Sequence, residues 1–266
     1  MKDELKEETL KKLLQKFWYI PSDVVLRTYE ALLWNKIKFI HPNLDVGCGD
    51  GEVDDFLFKG KYFDCAIDVI ESDIPKARKL SIYKKVIKAD ARALPFKNNS
   101  FSQVISNSSF EHIQNDAKAI SEISRVLKKG GFFCFTTTNN FLKKELKKIT
   151  ASDERFISYN ERVKHFHYRS LQSWKKILFK NGLKIRKHYL YMDEDTVKVW
   201  FLLFRMFTFK IKKRELWSYL SSSKITKFIP SSIVAKVELF VLKKVVRFEF
   251  SQTQGHWLYI EAVKTI

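Results

Sequence analysis

Residues 44–51 read Leu-Asp-Val-Gly-Cys-Gly-Asp-Gly, a short apolar strand followed at once by three glycines at alternate positions. Glycine lets the backbone approach a ligand closely at the carboxyl end of a strand. A dinucleotide fingerprint of the form GxGxxG would place its third glycine at position 52, where Glu52 stands, so the spacing disfavours a nicotinamide cofactor. The motif predicts a ligand-binding loop after the first strand of an α/β sheet.

Downstream of this loop, short apolar strands alternate with helical stretches, the pattern of βαβ units that build a parallel sheet. We predict strands over residues 43–46, 63–68, 85–88, 103–106, 132–137, 183–191 and 256–263. We predict helices over residues 5–18, 23–37 (capped by Ser22), 116–127 (stopped by Gly130-Gly131) and 171–180 (capped by Ser170).

These predicted strands and helices divide the chain into three parts. Residues 1–40 are predicted to form an N-terminal helical cap, and residues 41–194 with 255–266 the sheet domain. Residues 195–254 are predicted to be a basic, apolar helical insertion before the last strand. A chain of 266 residues with 45% hydrophobic content can bury a core of that size.

Charge and cysteine content restrict the partners and the compartment. A formal net charge of +19 indicates an anionic partner: nucleic acid, a phospholipid surface or a phosphorylated substrate. Cys48, Cys65 and Cys134 form no CxxC pair, which excludes a disulfide framework and a zinc-finger type of site. The first 20 residues mix acids and bases and predict no signal peptide. We therefore expect a cytoplasmic protein, with a peripheral position at the cytoplasmic membrane face left open.

Two acids follow predicted strands where a nucleotide-like ligand would lie. Asp68 ends the second strand, about twenty residues after the glycine loop, where a carboxylate can accept hydrogen bonds from both ribose hydroxyls. Asp90 follows the third strand in Ala-Asp-Ala-Arg-Ala-Leu-Pro-Phe. Taken singly, an Asp at a strand end is also an ordinary turn residue or helix cap.

Taken together, five segments resemble successive motifs of the class I S-adenosylmethionine-dependent methyltransferases. They are LDVGCGDG at 44–51, AID at 66–68, ADARALPFKNNSF at 89–101, SNSSFEHI at 106–113 and EISRVLKKGG at 122–131. The resemblance covers about residues 41 to 140 and implies S-adenosylmethionine as cofactor. It also implies a three-layer Rossmann-like sandwich whose seven-stranded, mainly parallel sheet has an antiparallel last strand.

The resemblance carries roles over to particular residues. It implies cofactor contacts from Asp45, Gly47, Cys48, Gly49, Asp68, Val69, Asp90, Ala91 and Asn107. Asp45 and the backbone of Gly47 and Gly49 would hold the methionine end of the cofactor, and Asp68 its ribose. Asp90 and the backbone of residue 91 would hold the adenine, and residue 107 would line the methionine and substrate side.

Catalytic and substrate residues are predicted more loosely. His112, beside Glu111, has a side chain whose ordinary pKa suits a general base, and a structural role for both at a helix start is the alternative. Substrate contacts are predicted from His165, His167, Tyr168 and Arg169. No third ligand completes a metal site with the two later histidines, so we predict no metal.

The residues around these motifs indicate the class of methyl acceptor. The Asn/Asp-Pro-Pro-aromatic motif of nucleic-acid amino methylation is missing after the fourth strand, which disfavours base amino groups. The insertion 195–254 combines bases with Trp200, Phe201, Phe204, Trp217 and Phe228, which suits an amphipathic element on an anionic bilayer. A lid and a dimer interface are the alternatives. We expect O- or C-methylation of a small hydrophobic or lipid- or glycan-linked acceptor; an RNA methyltransferase and a non-catalytic cofactor-binding protein remain open.

Overall fold

A computed structural model describes residues 3–222 and 231–266. The chain divides into two compact units. A helical unit contains residues Met1–Lys36 and Tyr191–Phe250, and a sheet unit contains Ile37–Leu190 and Ser251–Ile266. The N-terminal helices and most of the insertion thus belong to the same unit, and the functional division of the chain into three parts stays a prediction.

Ten strands occur in the described ranges. They are β1 (Asn43–Val46), β2 (Cys65–Asp68), β3 (Val86–Lys88), β4 (Phe101–Ser106), β5 (Leu127–Thr138), β6 (Leu183–Tyr191), β7 (Lys210–Ile211), β8 (Arg214–Glu215), β9 (Phe250–Ser251) and β10 (Trp257–Lys264). β7 and β8 form a separate two-stranded hairpin, and the other eight form one sheet in the order β3-β2-β1-β4-β5-β10-β6-β9. The predicted count of seven strands is therefore one short, because the two-residue edge strand β9 carries too little pattern to be recognised.

Strand directions confirm the predicted sheet class. β1 runs parallel to β2 and β4, β2 to β3, and β4 to β5. The last strand, β10, is antiparallel to β5, with Trp257 opposite Thr138 and Val263 opposite Phe132. The parallel strands place their carboxyl ends at one edge of the sheet, which is where ligands bind in such folds.

Seven helical segments accompany the sheet unit. They are α3 (Glu52–Leu57), α4 (Ile74–Ala77), the 3₁₀ helix η1 (Phe110–His112), α5 (Asp116–Val126), α6 (Asn140–Thr150), α7 (Asp153–Val163) and α8 (Leu171–Lys180). α8 matches its predicted limits, and the Ser170 side chain accepts a hydrogen bond from the Ser173 N–H, which confirms the predicted cap. Trp174 of α8 packs edge-on against Phe135 in the core, with ring centroids 5.0 Å apart.

The end of α5 differs from the prediction. The helix stops at Val126, and Leu127 already has extended backbone with φ −71° and ψ 138°. Gly130-Gly131 therefore lies inside β5 and is not a helix stop. The chain turns directly from helix to strand because residue 127 pairs with Phe101 of β4, a tertiary contact that helix-stop signals do not report.

The helical unit contains five helices in its described part: α1 (Asp3–Phe17), α2 (Pro21–Trp34), α9 (Glu194–Phe207), α10 (Leu216–Ser222) and α11 (Ser231–Val245). α2 begins at Pro21 without a side-chain cap, so the predicted capping role of Ser22 is wrong; this residue lies buried inside the first turn. Proline at the first helical position needs no cap for its missing N–H. Tyr29 of α2 stacks on Tyr191 at 5.5 Å between ring centroids.

The insertion presents different residues to solvent from those predicted. Trp200 and Phe201 are only 5% and 4% exposed, so they are core residues of the helical unit and are not available to a membrane. Phe228 lies outside the described residues. Within the parts of the chain that the structure describes, no helix has both the length and the apolar character needed to cross a bilayer.

Candidate functional site

A cavity of about 450 Å³ opens at the carboxyl ends of the parallel strands of the sheet unit. Its walls come from the loops after β1, β2, β3 and β4 and from the chain after α7. The lining residues are Gly47, Ile67, Asp68, Val69, Ile70, Ala89, Asp90, Ala91, Ser109, His112, Ile113, Val163, Lys164 and Phe166. The wall is mostly apolar with two carboxylates, the usual character of a small-molecule site.

The glycine loop is held by hydrogen bonds within the sheet unit. The Gly47 N–H donates to the Ile67 carbonyl at 2.9 Å, and the Gly49 N–H donates to Asp68 Oδ2 at 2.8 Å. Gly47 has φ +86°, and a Cβ added there would lie 2.3 Å from Ser109 Oγ. Glycine is required because the backbone is left-handed and the neighbouring loop fills the space of a side chain. Both N–H groups that were predicted to face the cofactor are thus already bonded inside the protein.

Asp68 ends β2 and lines the cavity. Its Oδ1 accepts a hydrogen bond from the Ile70 N–H at 2.8 Å, while Oδ2 accepts the Gly49 N–H. A carboxylate has about four lone-pair sites, so two backbone donors leave acceptor capacity for ligand hydroxyls. Asp68 therefore lines the cavity with its orientation fixed by two loops, and its contact with the ribose stays a prediction.

Asp90 also lines the cavity, next to the buried Ala91. The Arg92 guanidinium binds it as a fork, with Nε 3.0 Å from both carboxylate oxygens and a terminal nitrogen 2.6 Å from Oδ2. Hydrogen bonding by this arginine lowers the pKa of Asp90 below its ordinary value. The carboxylate is consequently charged at neutral pH and held in one orientation.

Asp45 lies beneath the loop and is not part of the cavity wall. It is fully buried beside Asp54, and the Tyr83 hydroxyl lies 3.0 Å from an oxygen of each carboxyl group. Burial and the neighbouring acid raise the pKa of Asp45 well above its ordinary value. Its Oδ1 has no hydrogen-bond partner among the described residues. Cys48 is also buried, and burial raises the pKa of its thiol, so it stays neutral.

Asn107 and Arg169 are bound elsewhere and do not line the cavity. Asn107 Oδ1 accepts a hydrogen bond from the Thr136 hydroxyl at 2.9 Å, which ties the end of β4 to β5. Arg169 donates to both oxygens of the buried Asp116 at 2.5 and 2.7 Å and lies over the Trp174 ring. This ion pair uses two of the guanidinium donors and gives Arg169 a structural role, and its predicted substrate contact stays a prediction.

His112 is the candidate catalytic residue that faces the cavity. Its Nδ1 lies 3.2 Å from the Lys164 carbonyl oxygen, and its ring centroid is 4.9 Å from that of His165. Glu111 is 2% exposed and does not reach the cavity wall. Burial and the neighbouring histidine lower the pKa of His165 to about 3, so its imidazole is neutral.

The other predicted substrate residues form a bonded group behind this wall. The Tyr168 hydroxyl donates to Asn160 Oδ1 at 2.8 Å and lies 3.2 Å from His165 Nδ1. His167 Nε2 lies 2.9 Å from the Gln114 carbonyl. The imidazoles of His165 and His167 therefore contact different neighbours, and residues 165–170 are irregular and do not form a strand.

Sequence reasoning missed the wall formed by Val163, Lys164 and Phe166. Val163 ends α7, and Lys164 directly after it adopts a left-handed conformation with φ +56°. The Phe166 N–H donates to the Glu111 carbonyl at 2.8 Å, which joins this segment to η1. A helix that ends in a left-handed lysine lacks the glycine that usually marks such an end in a sequence. Neither this turn nor its contact with η1 was therefore predictable.

Comparison with known families matches part of the chain to a methyltransferase domain. Residues 44–135 match a family described as a methyltransferase domain. An uncharacterised protein of Methanocaldococcus jannaschii is 36% identical over 40% of this chain and 44% of its own length. The human mitochondrial arginine-hydroxylase NDUFAF5 is 29% identical over 49% of this chain and 34% of its own length. The malonyl-[acyl-carrier protein] O-methyltransferase of Erwinia pyrifoliae is 31% identical over 39% of each.

The chain thus spans less than half the length of these curated relatives. A crystal structure of a SAM-dependent methyltransferase from Thermotoga maritima, described as a possible histamine N-methyltransferase, resembles the whole chain. The two share a TM-score of 0.56 and 16% identity, with 98% of each chain covered. At that identity the resemblance shows the fold alone.

Proposed function

We propose, from the premise that residues 44–135 form a class I S-adenosylmethionine-dependent methyltransferase domain, that the chain transfers a methyl group to an oxygen or carbon of a hydrophobic or lipid-linked acceptor. The observation that supports methyl transfer is the cavity at the carboxyl ends of the strands, which Asp68, Asp90 and His112 all line. An apolar cavity of about 450 Å³ has the size of a cofactor or metabolite site.

The residues of the cavity fit the cofactor. Asp68 has acceptor capacity left for the ribose hydroxyls, and the exposed Val69 and Ile70 offer an apolar rim for the adenine face. Asp90 supplies a fixed negative charge on the adenine side. Beneath the loop, the buried Asp45 does not line the cavity, and its contact with the methionine end of the cofactor stays a prediction. When bound, S-adenosylmethionine supplies a methyl group on a positively charged sulfur.

The chain's own contribution to the reaction is alignment and proton removal. Transfer from sulfur is an in-line displacement, so the wall must hold the acceptor on the axis of the carbon–sulfur bond. The Lys164 carbonyl accepts the hydrogen of His112 Nδ1, which leaves Nε2 to take a proton from an acceptor hydroxyl. Val163 and Phe166 cover this side of the cavity and limit the access of water.

The apolar wall supports a hydrophobic acceptor. Ile113, Val163 and Phe166 line the side next to His112, and no acid apart from Asp68 and Asp90 lines the cavity within the described residues. A strongly polar acceptor would lose its hydration there without matching hydrogen bonds. We therefore favour an acceptor whose reactive group is attached to an apolar body.

The helical unit supports a membrane as the source of that acceptor. Its exposed large apolar residues include Leu202, Met206, Phe209, Ile211, Ile233, Val237, Phe240, Val241 and Val245. α11 alone carries Lys236, Lys243 and Lys244 near these side chains. Exposed apolar residues beside lysines are what an anionic bilayer surface attracts, with about 1 kcal/mol for each base close to the membrane.

We predict that the chain sediments with anionic vesicles and loses this property when Val237→Asp and Phe240→Asp are combined. These residues are 60% and 58% exposed and three positions apart, so they share one face of α11. Two carboxylates there remove apolar contact and add repulsion from anionic headgroups. Sedimentation is measured with vesicles of phosphatidylglycerol and phosphatidylcholine, at low and high salt.

The matched control combines Ile157→Asp and Phe179→Asp, which are 52% and 76% exposed in the sheet unit. It makes the same change in charge and should sediment like the unaltered chain. Failure of the unaltered chain to sediment, or equal loss in both double variants, would contradict a membrane role for the helical unit.

Methyl transfer itself is tested with S-adenosylmethionine labelled in the methyl group. The chain is incubated with a membrane lipid extract, and separately with total RNA and a soluble metabolite extract. We expect label in the organic phase of the lipid incubation. Label recovered only in RNA or in soluble acceptors would contradict the proposed acceptor class while leaving the methyltransferase activity in place.

A further inference from the structure

We propose that Glu111, His112 and His165 form a binding site for a divalent transition metal at the edge of the cofactor cavity. Each of the three residues offers a ligand atom, and these atoms lie within 4.8 Å of one another. The sequence reasoning predicted no metal because it found only the two later histidines. The fold brings η1, which carries Glu111 and His112, against the chain after α7, which carries His165.

The hydrogen-bond network sets both imidazoles in the tautomer that binds metal. A carbonyl oxygen only accepts, so the Lys164 carbonyl at 3.2 Å places the hydrogen of His112 on Nδ1. The Tyr168 hydroxyl uses its hydrogen on Asn160 Oδ1 at 2.8 Å and therefore accepts from His165 Nδ1 at 3.2 Å. Nε2 of each ring keeps its lone pair. Metal-binding histidines commonly donate their second nitrogen in this way.

The backbone holds the two segments together before any ion binds. The Phe166 N–H donates to the Glu111 carbonyl at 2.8 Å, and Asn160 Nδ2 donates to the His165 carbonyl at 2.9 Å. Ligands at about 2.1 Å from a tetrahedral ion are about 3.4 Å apart, so the side chains must close by roughly an ångström. Rotation about the side-chain torsions of the two imidazoles and the carboxylate is the movement that the proposal requires.

The ligand types select the class of ion. Two imidazoles and one carboxylate are the set of catalytic zinc sites and of other first-row metals such as cobalt or iron, whereas magnesium and calcium prefer oxygen ligands alone. Three protein ligands leave a position for water or a substrate oxygen. Because His112 lines the cavity, that position lies toward the acceptor.

The chemical consequence of the metal site rests on the proposed methyl transfer, whereas the test of metal binding does not. A bound ion would lower the pKa of an acceptor hydroxyl, which would release its proton to water. The acceptor oxygen would then bond to the methyl carbon as the carbon–sulfur bond breaks, and the demethylated cofactor would leave with the electron pair on its sulfur. With metal bound, His112 then acts as a ligand and not as the proton acceptor, since one nitrogen lone pair cannot do both.

The test is titration of the full chain with cobalt chloride after treatment with a chelator, in the absence of S-adenosylmethionine. We expect one cobalt ion per chain, the visible absorption of four- or five-coordinate cobalt, and displacement by zinc. Loss of a second-shell partner costs about 10- to 100-fold in affinity, so loss of a direct ligand in His165→Gln or Glu111→Gln should cost at least about 100-fold. His112→Gln should behave in the same way.

The matched control is His188→Gln, because this histidine lies on β6 and hydrogen-bonds to the Gln252 carbonyl at 3.2 Å. It should bind cobalt like the unaltered chain. Near-ultraviolet circular dichroism shows whether each variant is folded, and the three single ligand variants give independent readings if one of them is not.

Three results would overturn the site: no stoichiometric cobalt binding, equal binding in His165→Gln and His188→Gln, or a thiolate-to-cobalt charge-transfer band that assigns the ion to cysteine. Cofactor binding is measured by calorimetry on the same samples. Cofactor binding without metal binding contradicts the metal site alone. Metal binding without cofactor binding contradicts the proposed function alone.

Discussion

Gly47→Ala is expected to destabilise the chain by about 2–5 kcal/mol and to weaken S-adenosylmethionine binding with it. The left-handed backbone at φ +86° costs an alanine about 1–2 kcal/mol. The new Cβ would also lie 2.3 Å from Ser109 Oγ and 2.6 Å from Ser109 Cβ. Relief requires movement of two cavity loops, and such overpacking costs about 1–3 kcal/mol more. Urea unfolding measures the loss.

Gly60→Ala is the matched control for backbone strain. Gly60 has nearly the same φ, +79°, but an added Cβ would meet nothing within 4 Å. It should cost only about 1–2 kcal/mol and leave cofactor affinity unchanged. Adding Ser109→Gly to Gly47→Ala should recover the stability that Gly47→Ala loses beyond the loss in Gly60→Ala. Equal losses of stability in the two single glycine variants would show that the contact between the loops does not matter.

Asp68→Asn is expected to weaken S-adenosylmethionine binding by about 10- to 150-fold while the chain stays folded. The substitution keeps the shape of the side chain but removes the charge and one acceptor oxygen. A hydrogen bond to a charged group contributes about 1.5–3 kcal/mol, which gives that range of dissociation constants. The new NH2 group must also face either the Gly49 or the Ile70 N–H, which puts a donor opposite a donor at that one position, while the amide oxygen still accepts from the other N–H.

Asp73→Asn is the control for the loss of one negative charge near the cavity. Asp73 pairs with Lys76 at 3.2 Å and does not line the cavity. The dissociation constant of the Asp73→Asn variant for the cofactor, measured by calorimetry, should stay within about twofold of that of the unaltered chain, because an exposed ion pair contributes little. If Asp68→Asn and Asp73→Asn bind equally well, the ribose assignment of Asp68 is wrong.

The parts of the site that lie at strand ends were predictable from the sequence. Apolar runs predict the limits of β1 and β6, and the parallel order places residues 68 and 90 at one edge of the sheet. Period and spacing suffice there because the backbone geometry of a parallel sheet is regular. The predicted roles of both acids in cofactor binding stay predictions until affinity is measured.

The parts that depend on partners distant in sequence were not predictable. The segment Val163–Phe166 joins the cavity through a backbone bond to η1, more than fifty residues earlier, and backbone bonds carry no residue signature. The bond of Arg169 to the buried Asp116 is likewise not visible in a local pattern, because the two residues are 53 positions apart. In the insertion, composition showed apolar residues but not that Trp200 is buried.

Calorimetric titration of the purified chain with S-adenosylmethionine, and with its demethylated product, tests the cofactor cavity most directly. We expect one molecule of either compound to bind per chain, in competition with the other, and the binding heat to be lost or much reduced in Asp68→Asn. A folded chain that binds neither compound would contradict the assignment of this cavity to S-adenosylmethionine and, with it, the proposed methyl transfer.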